Sequence, residues 1–188
     1  MRVLSLTLAC LAALTGGVLA QAIEPGQEGE LANVLAPKPG ARICYGRSYD
    51  AAHLKAHPRQ TVTDMQFRLA YYAHEPDEYY KEGQRNYYFE LRAKLRGAQK
   101  WNEAFGECSA AADGSIVCGV DCDGGGVAVK RRDPDRLLVY FDEIARIRMA
   151  GCDGDDEGDG VELTPGADDK EFLLGKLGDA ECPAYDDW

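Results

Sequence analysis

Two stretches decide the fold: Thr61–Tyr72, TVTDMQFRLAYY, and Asn86–Arg96, NYYFELRAKLR. In the first, Met65, Phe67, Leu69 and Tyr71 fall on one side of an extended chain, with Gln66, Arg68 and Tyr72 on the other. In the second, Tyr87, Phe89, Leu91, Ala93 and Leu95 make an apolar face against Tyr88, Glu90, Arg92, Lys94 and Arg96. Successive side chains of a strand point to opposite faces, so this period of two predicts a pair of long, half-buried strands.

Shorter strands are expected on either side of turn signals. They fall at Lys100–Phe105, Ser115–Val120, Gly126–Arg131, Arg136–Phe141, Ile144–Met149 and Glu171–Leu177. Ala112-Asp113-Gly114, Asp123-Gly124-Gly125 and Asp133-Pro134-Asp135 punctuate them at roughly the 8–12-residue spacing of an all-β sandwich or barrel. One short helix is predicted over Tyr49–His57, with Ser48 or Asp50 as N-cap and Pro58 as the stop. Strands do not alternate with helices, so a parallel sheet is disfavoured. The expected fold is all-β: a single antiparallel barrel or sandwich of about eight strands, stabilised by disulfides.

The chain has 188 residues and a formal net charge of -11. That balance argues against a nucleic-acid partner, which requires a basic face to release phosphate counterions. Residues 1–22 read as a secretory leader: Arg2, an apolar run over Val3–Leu14, then Val18-Leu19-Ala20 and Ala20-Gln21-Ala22 as small-x-small cleavage candidates. The run is shorter than the roughly 20 apolar residues that cross a bilayer, so the mature chain is expected to be exported, periplasmic or extracellular, without a transmembrane segment. Residues 23–40, rich in proline and glycine, read as a flexible arm. Residues 41–182 make the all-β domain, and 183–188 an acidic tail.

Of seven cysteines, Cys10 leaves with the leader, and an even set of six in an exported chain implies three disulfides. Cys108 and Cys118 flank Asp113 symmetrically, so a hairpin there sets them opposite one another. The remaining pairs are assigned as Cys122 with Cys152 and Cys44 with Cys182.

Charge is concentrated toward the C-terminus: residues 152–188 hold thirteen acidic and two basic side chains. The acidic stretch 153–162 is expected to lie over the basic side chains Arg92, Lys94, Arg96, Lys130, Arg132, Arg146 and Arg148. Its glycine-spaced carboxylates also suggest a weak calcium loop, although the register of an EF-hand is absent.

Three constellations suggest function. Six of ten tyrosines come in pairs, and the strand alternation sends Tyr71 and Tyr87 inward but Tyr72 and Tyr88 outward, with Tyr79 and Tyr80 on the connecting loop. Tyr72, Tyr79, Tyr80 and Tyr88 thus make a candidate contact patch for a protein, a glycan or a small apolar ligand, because tyrosine offers large rigid area at small entropic cost. His53 and His57, four apart on the short helix, share the spacing of helical zinc ligands, with Asp50 and His74 as candidate additional donors. A hydrolase is the third expectation, supported by no nucleophile elbow, phosphate loop or His-Glu-x-x-His motif. A non-catalytic binding protein is therefore the leading expectation, ahead of a metal-binding one.

Overall fold

The computed structural model describes residues 23–111, 113–121, 123–141, 146–149 and 160–185. Eight strands close into an antiparallel barrel: β1 (Arg42–Ser48), β2 (Val62–His74), β3 (Gln84–Leu95), β4 (Trp101–Ala110), β5 (Ile116–Val120), β6 (Gly126–Asp133), β7 (Arg136–Tyr140) and β10 (Glu171–Lys176). Around the barrel the order is β1-β10-β7-β6-β5-β4-β3-β2. A two-stranded sheet of β8 (Ile147–Met149) and β9 (Val161–Leu163) accompanies it. The barrel is thus the outcome of the two architectures the sequence leaves open.

The long pair forms as its alternation requires. β2 and β3 run in register from Asp64↔Lys94 to His74↔Gln84. Met65, Phe67, Leu69, Tyr87, Phe89, Leu91 and Ala93 are fully buried or nearly so. Facing strands add Tyr45, Val127, Val129, Leu137, Val139, Phe172 and Leu174 to one continuous core. These described interior positions are filled by large side chains, as in small barrels whose centre is a packed core.

The structure departs from the sequence expectation in four elements. β1 forms within RICYGRS, which shows no clean alternation; it is held by neighbours on both sides, β2 and β10. β4 runs to Ala110 rather than stopping at Phe105. β9 is an additional short strand. The fourth is a correction to the flexible arm of residues 23–40. Leu31–Val34 forms a helical turn, α1, and Leu31, Val34 and Leu35 join the core at the barrel end that carries the β4–β5 turn. Burying three large aliphatic side chains outweighs the local bias of the prolines and glycines around them. Tyr87 fastens this turn from inside the barrel, its hydroxyl donating to the Leu35 carbonyl at 2.9 Å.

The predicted helix is α2, Ala51–Ala56, with Asp50 as the cap: its carboxylate accepts from the His53 N–H at 2.7 Å. It lies at the other end of the barrel, before β2. The loop leading into β10 fastens that end. Asp169, almost fully buried, accepts from the Thr61 N–H and hydroxyl, both at 2.6 Å.

Among the described residues there are two disulfides. Cys108 and Cys118 are register partners on β4 and β5, and Cys44 joins Cys182. The expected Cys122–Cys152 bond lies outside the described residues, as do the leader and positions 153–159 of the acidic stretch. At its described end, Glu162 pairs with Arg146 at 2.6 Å. Arg92 pairs with Glu103, and Arg96 donates to the Gln60 carbonyl.

The two disulfides close loops of very different length, with sequence separations of 10 and 138. If they act chiefly by restricting the unfolded chain, removal costs about 3 kcal/mol for Cys108→Ala/Cys118→Ala and about 5 kcal/mol for Cys44→Ala/Cys182→Ala. Urea unfolding of the two double variants checks the order; a larger loss from the short loop would refute the unfolded-state account.

Candidate functional site

At the barrel end that carries the β2–β3 connection, the outer faces of these strands bring four rings together. Tyr72 and Tyr88 lie 6.3 Å apart between centroids, edge to face. His74 joins them, its Nε2 2.6 Å from the Tyr88 hydroxyl oxygen. Tyr185, from the C-terminal tail, stacks on Tyr88 at 5.0 Å with 17° between planes and stands 5.4 Å from Tyr72. Of the four tyrosines expected in the patch, the structure therefore unites Tyr72 and Tyr88. Tyr79 and Tyr80 occupy the connecting loop, and among the described residues no ring contact joins them to the cluster.

Burial raises the Tyr88 phenol pKa above its usual range, and Glu107, its register neighbour on β4, raises it further. The phenol accordingly keeps its proton at neutral pH. It offers a ring face to Tyr185 and a hydroxyl to His74.

Tyr79 and Tyr80 are held out by an ordered turn. Asp77 accepts from the N–H groups of both residues, at 2.8 and 2.6 Å, and its own N–H donates to the Tyr80 carbonyl. Gly83, at φ +75°, closes the loop where a Cβ would collide with the His74 carbonyl oxygen, so only glycine fits. On this frame Tyr79 is 81% exposed and Tyr80 50%.

The tail reaches Tyr88 by crossing the outer face of β1, β2 and β3. The Leu177 N–H donates to the Cys44 carbonyl, and its side chain rests on Gly46, where a Cβ would come within 3.1 Å. Cys182 is bonded to Cys44, and its carbonyl accepts from Arg42 Nε at 2.8 Å. Two charged residues on this face occupy solvent-side positions yet are buried: Arg68, 8% exposed, and Glu90, 2% exposed, which form an ion pair. Arg92 stands 3.7 Å from Glu90 on its other side. Burial raises the Glu90 carboxyl pKa, and Arg68 and then Arg92 pull it back.

His53 and His57 meet as their spacing requires. Their rings stack at 4.4 Å with 25° between planes. His53 Nε2 lies 2.9 Å from Gln60 Oε1, and the Asp50 carboxylate is occupied as the helix cap. His74 is at the opposite end of the barrel, against Tyr88. Among the described residues, no group of three His, Cys, Asp or Glu side chains is placed to hold a metal ion. The histidines instead border a cleft of about 210 Å³ with Tyr49, Arg47, Asp168 and Glu171. A second cleft, of about 460 Å³, lies beside α1 and is bordered by Glu30, Val34, Asp113, Ser115 and Lys130. Hydrogen bonds from the Ser115 N–H and hydroxyl hold the Asp113 carboxyl below its usual range.

Two members of the aromatic cluster, His74 and Tyr185, escape the sequence analysis as members. His74 follows Tyr72 by two positions and so shares its face, which is a signal of period two. Tyr185 has only its nearness to Cys182 to suggest that it is tethered.

The buried ion pair gives a prediction. Removing Glu90 alone, as Glu90→Leu, leaves the Arg68 guanidinium buried without a counter-charge and is expected to cost about 3–5 kcal/mol, whereas Arg68→Met/Glu90→Leu recovers most of that loss. The native Glu90 carboxyl takes up its proton at a higher pH than the unfolded one. It therefore adds stability at acidic pH that is lost as pH rises through its raised pKa, and the double variant should lack this component. Urea unfolding across pH reads both effects. In comparisons with known proteins, no family model matches the chain, and no curated protein matches it either.

Proposed function

We propose that this is an exported, non-catalytic binding protein whose contact surface is the tyrosine patch at the β2–β3 end of the barrel. The observation that carries this reading is the pair Tyr79 and Tyr80, two large rings left in water on a turn that Asp77 and Gly83 hold rigid. Exposing such rings gains nothing for the isolated fold. Rigid presentation lowers the entropy lost when a partner covers them, which is the usual economy of an aromatic anchor. Tyr72, Tyr88 and His74 extend the surface along the strands.

Of a protein, a glycan and a small apolar ligand, a protein suits the patch best. Its rings stand on the outside of a barrel whose described interior is packed, whereas small apolar ligands are taken into enclosed clefts. Export is supported by the leader-like first 22 residues together with the two disulfides, which persist in oxidising compartments. The protonated state of Tyr88 favours contact over chemistry.

Affinity capture from the medium or periplasm of the source cells, with Tyr79→Ala/Tyr80→Ala as the paired control, tests the reading. Partner recovery is expected to fall at least about ten-fold, as for the loss of one or two anchor residues. The urea midpoint should scarcely move, because neither ring is buried. Equal recovery by both proteins would count against the patch.

A further inference from the structure

Resting on that reading of the patch, we infer that Tyr185 is a built-in surrogate for the partner: the slot between Tyr72 and Tyr88 takes an aromatic side chain of another polypeptide, and the protein's own tail, latched by Cys44–Cys182, competes for it. The geometry of the slot carries the argument. A ring lying nearly parallel to Tyr88 and close to Tyr72 is the offset arrangement that aromatic pairs prefer. The ring that fills it is not supplied by the barrel. It comes from the end of a tail whose anchor, Cys182, is three residues away.

Two features mark the seated tail as displaceable. Gln66 Oε1 and Arg68 Nε, register partners of Gly46 and Cys44 where the tail is fastened, are buried without hydrogen-bond partners. Closing the tail therefore has a desolvation cost that lifting it returns, since both atoms regain water. The latch, in turn, sets the strength of the competition. A ring three residues from its anchor is held at a high local concentration over the slot. Without the disulfide the nearest strand anchor is Lys176, nine residues away, and the local concentration falls about five-fold with the −3/2 power of tether length.

The partner's chemistry follows from the occupant: a polypeptide that presents an exposed tyrosine or a similar aromatic ring. N-acetyl-tyrosinamide serves as the probe, titrated into the full oxidised chain and followed by the ring signals of labelled tyrosines. If Tyr185 is seated nine-tenths of the time, Tyr185→Ala binds the probe about ten-fold more tightly than the wild-type chain, because a competitor in the same molecule is removed. Cys44→Ala/Cys182→Ala is expected to bind about four-fold more tightly than wild type, through the weaker tether. The Tyr185→Ala comparison stands whether or not the disulfide-free protein folds.

The outcomes separate the two readings. Equal, Tyr88-dependent binding by the wild-type and Tyr185→Ala chains overturns the surrogate and leaves the patch standing. Undiminished binding by Tyr185→Ala/Tyr88→Ala, or by Tyr185→Ala/Tyr72→Ala should the first fail to fold, overturns the slot and counts against those two members of the patch. Absence of probe binding in every chain overturns the aromatic specificity inferred here, while capture through Tyr79 and Tyr80 is judged separately.

Discussion

Pairing of β2 with β3 is the constraint on which the other features depend, because it assigns every side chain over more than ten consecutive positions to one of two faces. A slip of one residue by either strand would send that strand's apolar set into water, Phe67 and Leu69 or Phe89 and Leu91, and bring Arg68, or Glu90 and Arg92, into the barrel. The same register divides the paired tyrosines. Tyr71 and Tyr87 meet edge to face inside at 5.0 Å, while Tyr72 and Tyr88 meet outside. A single pattern thus supplies both a core and a surface, and the hydroxyl of an inward tyrosine, Tyr87, still finds a carbonyl at Leu35.

The outer face of β1–β3 is unlike the solvated side of an ordinary half-buried sheet. Strand alternation assigns it charged and polar residues, the tail crosses it, and two of its charges, Arg68 and Glu90, are buried. Burying an arginine and a glutamate together is tolerable because each is the other's counter-charge, with Arg92 alongside; burying either alone would not be. Charge at these positions is consistent with a face that is covered in one state and wetted in another. An aliphatic pair would favour permanent closure more strongly.

The barrel was legible wherever the signal was local. Met65 to Tyr71 and Tyr87 to Leu95 declare their faces by alternation, and Cys108 and Cys118 declare their pairing by symmetry about a turn. β1 was not legible, since Arg42, Gly46, Arg47 and Ser48 supply little apolar pattern and the strand exists because β2 and β10 flank it. Nor was α1: three apolar residues among prolines and glycines are too few to show a helical period, and only the barrel end gives them a place to be buried. At the site, Tyr72 and Tyr88 followed from the pleat. The histidine spacing correctly brought His53 beside His57 but said nothing of ring orientation, which stacking with Tyr49 and the bond to Gln60 decide. Tyr185 depended on the route of the tail, a long-range fact that no local pattern carries.

That route also suggests why the aromatic cluster and the Cys44–Cys182 bond occur together. A tail anchored only through β10 would have to order nine residues to place one ring, and the backbone entropy of that ordering exceeds what a single stacked pair returns. The disulfide, the Leu177 contact on Gly46 and the Arg42 bond to Cys182 order most of the tail before Tyr185 is reached. What remains to be fixed is three residues, a much smaller ordering cost than nine. A tail fastened at Cys182 thus brings its ring to the outside of the barrel, whereas a tail packed by several large inward side chains would be part of the core.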